Sequence, residues 1–250
     1  MALENPALND HAFERAMAEN PGAARAGFHV AVVYLMTGFL LVVLIAGAAV
    51  GWSQVDVDGA IARVPAWFGL VSFGTLIVGL ATVFAPRTAI LTGTLYALGE
   101  GLMLGVISHF YEAEYEGIVA QSIAATLGIF LSVYVLYSLR FIKATPALAR
   151  FVIIATFGLM LLYMLTWFLT LFGADFRFLS EPTPAGIALA FGIVLLGTAF
   201  LPGDFDFVEK VAKEGAPSWM QFYAAFGLVL ALIWIYVAVL RFLALVRAGS

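Results

Sequence analysis

Cysteine is missing from this 250-residue sequence, and charged residues are scarce. The missing thiols exclude disulfides, thiol catalysis and thiolate metal sites. Asp, Glu, Lys and Arg together make up only 11% of the chain, the net charge is −4, and no run of basic residues occurs. The sequence therefore has neither the basic face of a nucleic-acid-binding protein nor a polybasic segment that would hold an acidic membrane surface.

Sequence patterns for several membrane chemistries are missing as well. The three lysines, at positions 143, 210 and 213, lie between the predicted spans, so a retinal Schiff base has no attachment point. His29 and His109 lie at opposite faces of the predicted bundle, which excludes a pair of haem ligands at one depth. Neither an HExxH zinc motif nor a GxSxG nucleophile motif occurs. We therefore expect a protein that is not an enzyme and holds no resident cofactor.

Apolar residues are what the sequence has in abundance, at 63% of the chain. They form seven continuous stretches, each close to the roughly 20 residues that a helix needs to cross a bilayer. The predicted spans are residues 28–52, 65–85, 89–110, 118–142, 150–172, 184–201 and 219–246. The sequence thus predicts an all-α integral membrane protein. A polar N-terminal tail, residues 1–27, precedes a single seven-helix transmembrane domain, residues 28–247.

The distribution of Lys and Arg predicts the orientation, because positive residues are commoner on the cytoplasmic side. With the N-terminus inside, eight face the cytoplasm: Arg15, Arg25, Arg87, Arg140, Lys143, Arg150, Lys210 and Lys213. Four face outwards: Arg63, Arg177, Arg241 and Arg247. We expect a protein of the bacterial inner membrane with a cytoplasmic N-terminus and an external C-terminus. The sixth span is short, and if it were re-entrant the C-terminus would lie on the other side.

Glu100 lies in the middle of the third predicted span. Inserting a carboxylate at that depth costs a few kcal/mol, so an acid there indicates a function by default. Glu100 is therefore a candidate cation ligand or proton-sensitive group. The alternative is a neutral carboxyl group that is simply bonded to a backbone carbonyl or hydroxyl of a neighbouring helix.

A second acidic segment, Asp204-Phe205-Asp206-Phe207, follows the sixth predicted span. In the predicted orientation it lies at the cytoplasmic boundary of the membrane. The alternation places the rings against lipid or protein and directs the carboxylates elsewhere. Asp204 and Asp206 are thus candidates for an ion pathway, and the alternative is an ordinary solvated helix end.

Charged residues also occur at the predicted outer face. Glu112, Glu114 and Glu116 form an acidic turn after the third span, and such a cluster raises the local concentration of cations. Its alternative role is solubility. Arg241 lies in the outer part of the last span, where it extends to the interface or, alternatively, acts as the counter-ion of a membrane acid.

Residues 95–108, LYALGEGLMLGVIS, resemble the third-span sequence of the bacterial branch of the Bax inhibitor-1 family. The resemblance extends from about residue 28 to residue 246, and the order and spacing of its motifs make it specific. The other matching segments are residues 117–122 (GIVAQS), 143–146 (KATP), 204–209 (DFDFVE), 215–217 (GAP) and 223–227 (YAAFG).

The resemblance implies a seven-helix bundle in which the other six helices surround the last one. It also implies a pH-sensitive calcium leak that two aspartates close near the cytoplasmic end, with transient Ca²⁺ binding. Asp204 or Asp206 would be the first of these. The second should come from the last helix, but no Asp or Glu follows Glu214, and position 238, where this branch tends to have a glutamate, is Ala238. A carboxylate of another helix would have to replace it.

Two functional hypotheses follow. The first is a pH-sensitive cation leak, with Ca²⁺ as the expected ion: the outer glutamates gather cations, Glu100 acts within the bundle, and Asp204 and Asp206 line the inner mouth. The second is a non-conducting scaffold that binds another membrane complex, such as a quality-control protease. The missing acid of the last helix favours the scaffold, as do the glycine-lined helix faces at Gly47, Gly51, Gly101 and Gly105.

Overall fold

The computed structural model describes residues 27–58, 61–63, 65–172 and 181–249. Within this part of the chain the secondary structure is helical, apart from one short hairpin, and the predicted all-α class is confirmed. The helices are α1 (Val30–Ser53), α2 (Phe68–Phe84), α3 (Ala89–Glu114), α4 (Ile118–Ser138), α5 (Pro146–Thr170), α6 (Pro184–Lys213) and α7 (Met220–Ala248). The predicted tail up to residue 26, with Arg15 and Arg25, lies outside the described residues, as does Arg177.

Six of these helices are long and apolar enough to cross a membrane. The exception is α2, which is apolar but has only 17 residues and so lies at the short end of the spanning range. The prediction that the sixth span is the short one is wrong. Helix α6 has 30 residues and continues through Pro202, because a proline removes one backbone hydrogen bond without obliging the chain to leave the helix. The sixth segment is therefore one continuous helix rather than a re-entrant segment. The orientation of the termini stays a prediction.

A two-stranded hairpin that the sequence did not predict lies between α1 and α2. Strand β1 (Asp56–Asp58) pairs antiparallel with β2 (Ile61–Arg63), with Asp56 opposite Arg63. The connection between α2 and α3 is shorter still. A single 3-10 turn, Pro86–Thr88, joins the two helices and coincides with the three residues between the predicted spans 65–85 and 89–110.

Helices α1 and α3 approach each other closely at four glycines. A Cβ atom on Gly51 would overlap the carbonyl group of Leu102, and one on Gly105 would overlap the carbonyl group of Ala48. Gly47 and Gly101 meet the facing backbone in the same way. Small residues at such positions let two membrane helices pack backbone to backbone. We call these four glycines the glycine seam, which packs α1 against α3 within the chain and so does not present a face to another protein.

The chain forms two compact units. One includes the described residues up to Glu116 together with Phe207–Leu230; the other consists of Gly117–Asp206 and the residues from Ala231 onwards. The last helix has the largest buried share of the candidate spans, 44% of its most apolar stretch, and α5 has the smallest, 6%. The predicted domain limits stay a prediction.

Candidate functional site

Glu100 lies near the middle of α3, and its side chain is half-buried. The hydroxyl group of Tyr96, one helical turn earlier, donates a hydrogen bond to the Glu100 carboxylate. Tyr96 is itself buried, and its ring packs edge-on against Phe226 of α7, with 5.2 Å between the ring centroids. The carboxylate is thus held by a buried phenol rather than by a basic side chain.

The two glycines beside Glu100 fix the direction of its side chain. A Cβ on Gly99 would meet the side chain of Thr75 in α2, and a Cβ on Gly101 would overlap the carbonyl group of Leu44 in α1. Successive helical residues are about 100° apart, so Glu100 lies between these two contacts on a third face of α3. Gly93 lies on that third face, and a Cβ there would be 3.5 Å from the rings of Phe222 and Phe226. The carboxylate therefore occupies the face of α3 that meets the start of α7.

Tyr223 is a second buried phenol of this region, and the sequence reasoning did not assign it a role. Its side chain is 0% exposed, and its hydroxyl group has no hydrogen-bond partner among the described residues. Its ring stacks on Phe226, with 6.4 Å between centroids. A tyrosine near the end of a predicted span is usually read as an interface residue, so only the structure shows it to be enclosed.

Asp204 and Asp206 lie within α6, not beyond its end, and the helix points them in different directions. Asp204 is 3% exposed, whereas Asp206 is exposed. Residues two apart on a helix are about 200° apart, so the two carboxylates do not form one pair. The alternative of an ordinary solvated helix end is therefore wrong for Asp204, which is buried. No cluster of three or more His, Asp or Glu side chains that could hold a metal ion occurs within the described residues.

Phe205 anchors this segment against α4. The ring is 1% exposed and packs against Phe130, Tyr134 and Tyr137, with centroid distances of 5.4, 5.5 and 5.7 Å. The hydroxyl group of Tyr137 also donates a hydrogen bond of 3.2 Å to Oδ1 of Asp206. These contacts fix the rotation of α6 about its axis and hence the inward direction of Asp204.

The three glutamates of the predicted outer face begin within α3 rather than in a separate turn. Glu112 and Glu114 belong to the last helical turn, and Glu116 follows it. Glu112 is half-buried, whereas Glu114 and Glu116 are exposed. The C-terminal end of a helix carries partial negative charge, so acids in the last turn reduce helix stability slightly. Helix stability therefore does not explain why these glutamates lie at the end of α3.

Arg241 contacts a tyrosine of α5. Its Nη1 atom donates a hydrogen bond of 2.9 Å to the hydroxyl group of Tyr163, and its guanidinium carbon lies 5.9 Å from the centre of that ring. Both residues line a cavity of about 680 Å³ between α5, α6 and α7. From the sequence, Arg241 was expected either to extend to the membrane interface or to act as the counter-ion of a membrane acid. The structure adds Tyr163 as a hydrogen-bond partner.

Comparison with known proteins agrees with the helical architecture. A family model described as Bax inhibitor 1 like matches residues 5–248. No curated protein matches the chain. The family match covers nearly the whole sequence, and six helices are long and apolar enough to cross a bilayer. The chain therefore belongs to the Bax inhibitor 1 like family and is a multi-pass membrane protein.

Proposed function

We propose that this protein is a pH-sensitive cation leak, with Ca²⁺ as the ion that passes. The observation that carries the proposal is the carboxylate of Glu100, half-buried in the middle of a membrane-spanning helix and bonded to the buried hydroxyl group of Tyr96. Carboxylates are the side chains that hard divalent cations prefer. Protonation of the carboxylate removes its charge and with it the attraction for a cation.

The energetics support a function for Glu100 rather than a purely structural role. A carboxylate at the centre of a membrane helix costs about 2.5–3.5 kcal/mol to insert. A hydrogen bond to a charged group contributes about 1.5–3 kcal/mol. The Tyr96 bond at best offsets the cost of insertion, whereas an apolar residue would have no such cost. Glu100 therefore does not stabilise the helix in the membrane, and its presence requires another reason.

Asp204 is the second carboxylate that we assign to the ion pathway. It is 3% exposed within α6, and the aromatic contacts of Phe205 keep it directed inwards. The last helix supplies no acid beside it, since no Asp or Glu follows Glu214. We therefore propose that Asp204 takes part in the ion pathway without an acidic side chain from the last helix.

The exposed carboxylates Glu114 and Glu116 would act as an electrostatic entrance, with Glu112 behind them. They add negative charge to the end of α3, where the helix itself already has a partial negative charge. A group of like charges raises the local concentration of counter-ions. This role accounts for acids that stability alone does not explain.

Calcium flux into liposomes that contain the purified protein tests the proposal across a series of pH values. We expect the flux to exceed that of empty vesicles, and Glu100→Gln and Asp204→Asn to reduce the flux or flatten its pH dependence. Glu209→Gln is the matched control, because Glu209 is an acid of α6 that pairs with Lys213 at 3.4 Å. A flux equal to that of empty vesicles would reject the proposal.

A second candidate function is a non-conducting scaffold for another membrane complex, such as a quality-control protease. Helix α5 favours it, because only 6% of its most apolar stretch is buried and the rest is available to a partner or to lipid. Co-purification of one stoichiometric partner in mild detergent, together with vesicles that pass no Ca²⁺, would decide for the scaffold.

A further inference from the structure

The cavity beside Arg241 has one polar end and apolar walls. Its volume is about 680 Å³, which is within the usual range for small-molecule sites. The polar end consists of Arg241 and Tyr163, which are bonded to each other. Leu159, Ile193 and Val237 are among the apolar lining residues, and none of the lining residues is acidic.

The apolar part of the cavity continues along the face between α5 and α6. A second cavity of about 350 Å³ extends from Phe151 to Leu162 on α5 and shares Leu159 and Ile193 with the first. Together the two follow α5 from Phe151 to Tyr163, which is about 18 Å at 1.5 Å per residue. Half of a hydrocarbon core about 30 Å thick is about 15 Å. The groove is therefore comparable in length with an acyl chain, and from Tyr163 it runs towards the middle of the membrane.

Arg241 lies at the depth of lipid headgroups. Helix α7 has 29 residues and is about 43 Å long, so it extends beyond the hydrocarbon core by about 6 Å at each end when centred. Arg241 is seven residues, or about 10 Å, before the last residue of the helix. It thus lies within about 4 Å of the core boundary, where an arginine can reach a phosphate group.

The polar groups of the cavity match an anionic phospholipid. A guanidinium group is always charged, and its planar donors fit phosphate oxygens. The Tyr163 oxygen accepts from Arg241, so its own O–H remains a donor towards the cavity.

We propose that this groove is a binding site for one anionic phospholipid. The phosphate group binds Arg241 and Tyr163, and one acyl chain lies between α5 and α6. The site is separate from the carboxylates assigned to ion passage, and none of its lining residues is acidic, so it does not depend on the proposed leak.

Trp234 lines the cavity and provides a local probe, because bromine atoms on an acyl chain quench a tryptophan that they contact. The full-length protein is placed in nanodiscs with mixtures of phosphatidylglycerol and phosphatidylcholine in which one of the two lipids carries brominated chains. The quenching of Trp234 alone is the difference between the quenching of the wild-type protein and that of Trp234→Phe. Both lipids carry a phosphate group, but the ammonium of phosphatidylcholine repels Arg241 and meets no acidic lining residue, so we expect a preference of about tenfold for the anionic lipid.

Arg241→Gln should abolish this preference, and Arg247→Gln should keep it. Arg247 is the matched control, because it lies on the same helix, carries the same charge and bonds Gln121 instead of lining the cavity. If Arg241→Gln does not fold, Tyr163→Phe keeps the charge, and the preference should fall two- to threefold. Equal quenching by the two lipids in the wild-type protein, or an unchanged preference in Arg241→Gln, would overturn the proposal. Displacement of the bound lipid by inorganic phosphate would indicate a site for a free anion and would also overturn it.

Discussion

The hydroxyl group of Tyr96 donates a hydrogen bond to the carboxylate of Glu100, one turn further along α3. The phenol ring is held from its other side by Phe226, so the bond links a membrane carboxylate to the start of the last helix. Glu100 is thereby connected to the part of α7 that begins with Met220.

Removal of this bond should reduce stability only while the carboxylate is present. Tyr96→Phe should lower the free energy of unfolding by about 1–3 kcal/mol, because it leaves the half-buried Glu100 carboxyl group without its bond. In a Glu100→Gln background the same change should cost less. A double-mutant cycle in detergent, with denaturant unfolding followed by circular dichroism, measures the difference. Equal costs in the two backgrounds would show that the two groups do not interact.

The glycine seam should tolerate no added methyl group. Gly51→Ala should lower the free energy of unfolding by about 1–3 kcal/mol, because the new Cβ would overlap the carbonyl group of Leu102 and force α1 and α3 apart. Gly38→Ala in the same helix is the control, since a Cβ there meets nothing within 4 Å and alanine favours the helix. Thermal unfolding of the two variants compares them directly. A loss at Gly38 as large as that at Gly51 would contradict this account.

Phe205 should be the main anchor of α6 on α4. Phe205→Ala should cost about 3–5 kcal/mol, because it removes a buried ring that three aromatic side chains contact. Phe157→Ala is the control, since that ring is 47% exposed on α5. The midpoint of denaturant unfolding should fall clearly for the first variant and little for the second. Similar midpoints would show that Phe205 does not hold the segment.

The orientation predicted from the distribution of Lys and Arg can be tested with fusions at the C-terminus. A reporter enzyme that folds only outside the cytoplasm should be active when it follows residue 250, and a fluorescent protein that matures only inside should stay dark. The same reporters placed after Lys143 give the opposite pattern if the N-terminus is inside. An inactive external reporter at the C-terminus would reverse the predicted orientation.

Much of the fold could be predicted from the lengths of the apolar stretches. A stretch of about 20 apolar residues has few alternatives to a membrane helix, and the break between the predicted spans at residues 86–88 coincides with the turn between α2 and α3. Pro202 misled the prediction of α6, because the proline and the acids after it resemble a helix end, yet the helix continues as far as Lys213. Strands of three residues, such as β1 and β2, are too short to show a recognisable alternation.

The candidate site could be predicted only residue by residue. Glu100 stands out in any reading, because a lone acid in an apolar stretch is costly. Tyr96 lies one helical turn before it and could have been proposed from helical spacing, since such pairs face each other. The contact of Arg241 with Tyr163 joins residues 78 positions apart, and it depends on how α5 and α7 pack. The spacing of residues along the chain does not reveal how these two helices pack.

The glycine seam also limits which movements are available around Glu100. The backbones of α1 and α3 are in direct contact there, without intervening side chains. Separating the two helices would therefore break all four close contacts at once, and we expect the pair to move as one rigid unit. Any change of state near the carboxylate must therefore arise on the opposite side of α3, where the contact consists of phenyl and phenol rings. Rings can rotate while a helix stays in place, so under the proposed leak function a gate here would depend on side-chain rotamers rather than on the separation of helices.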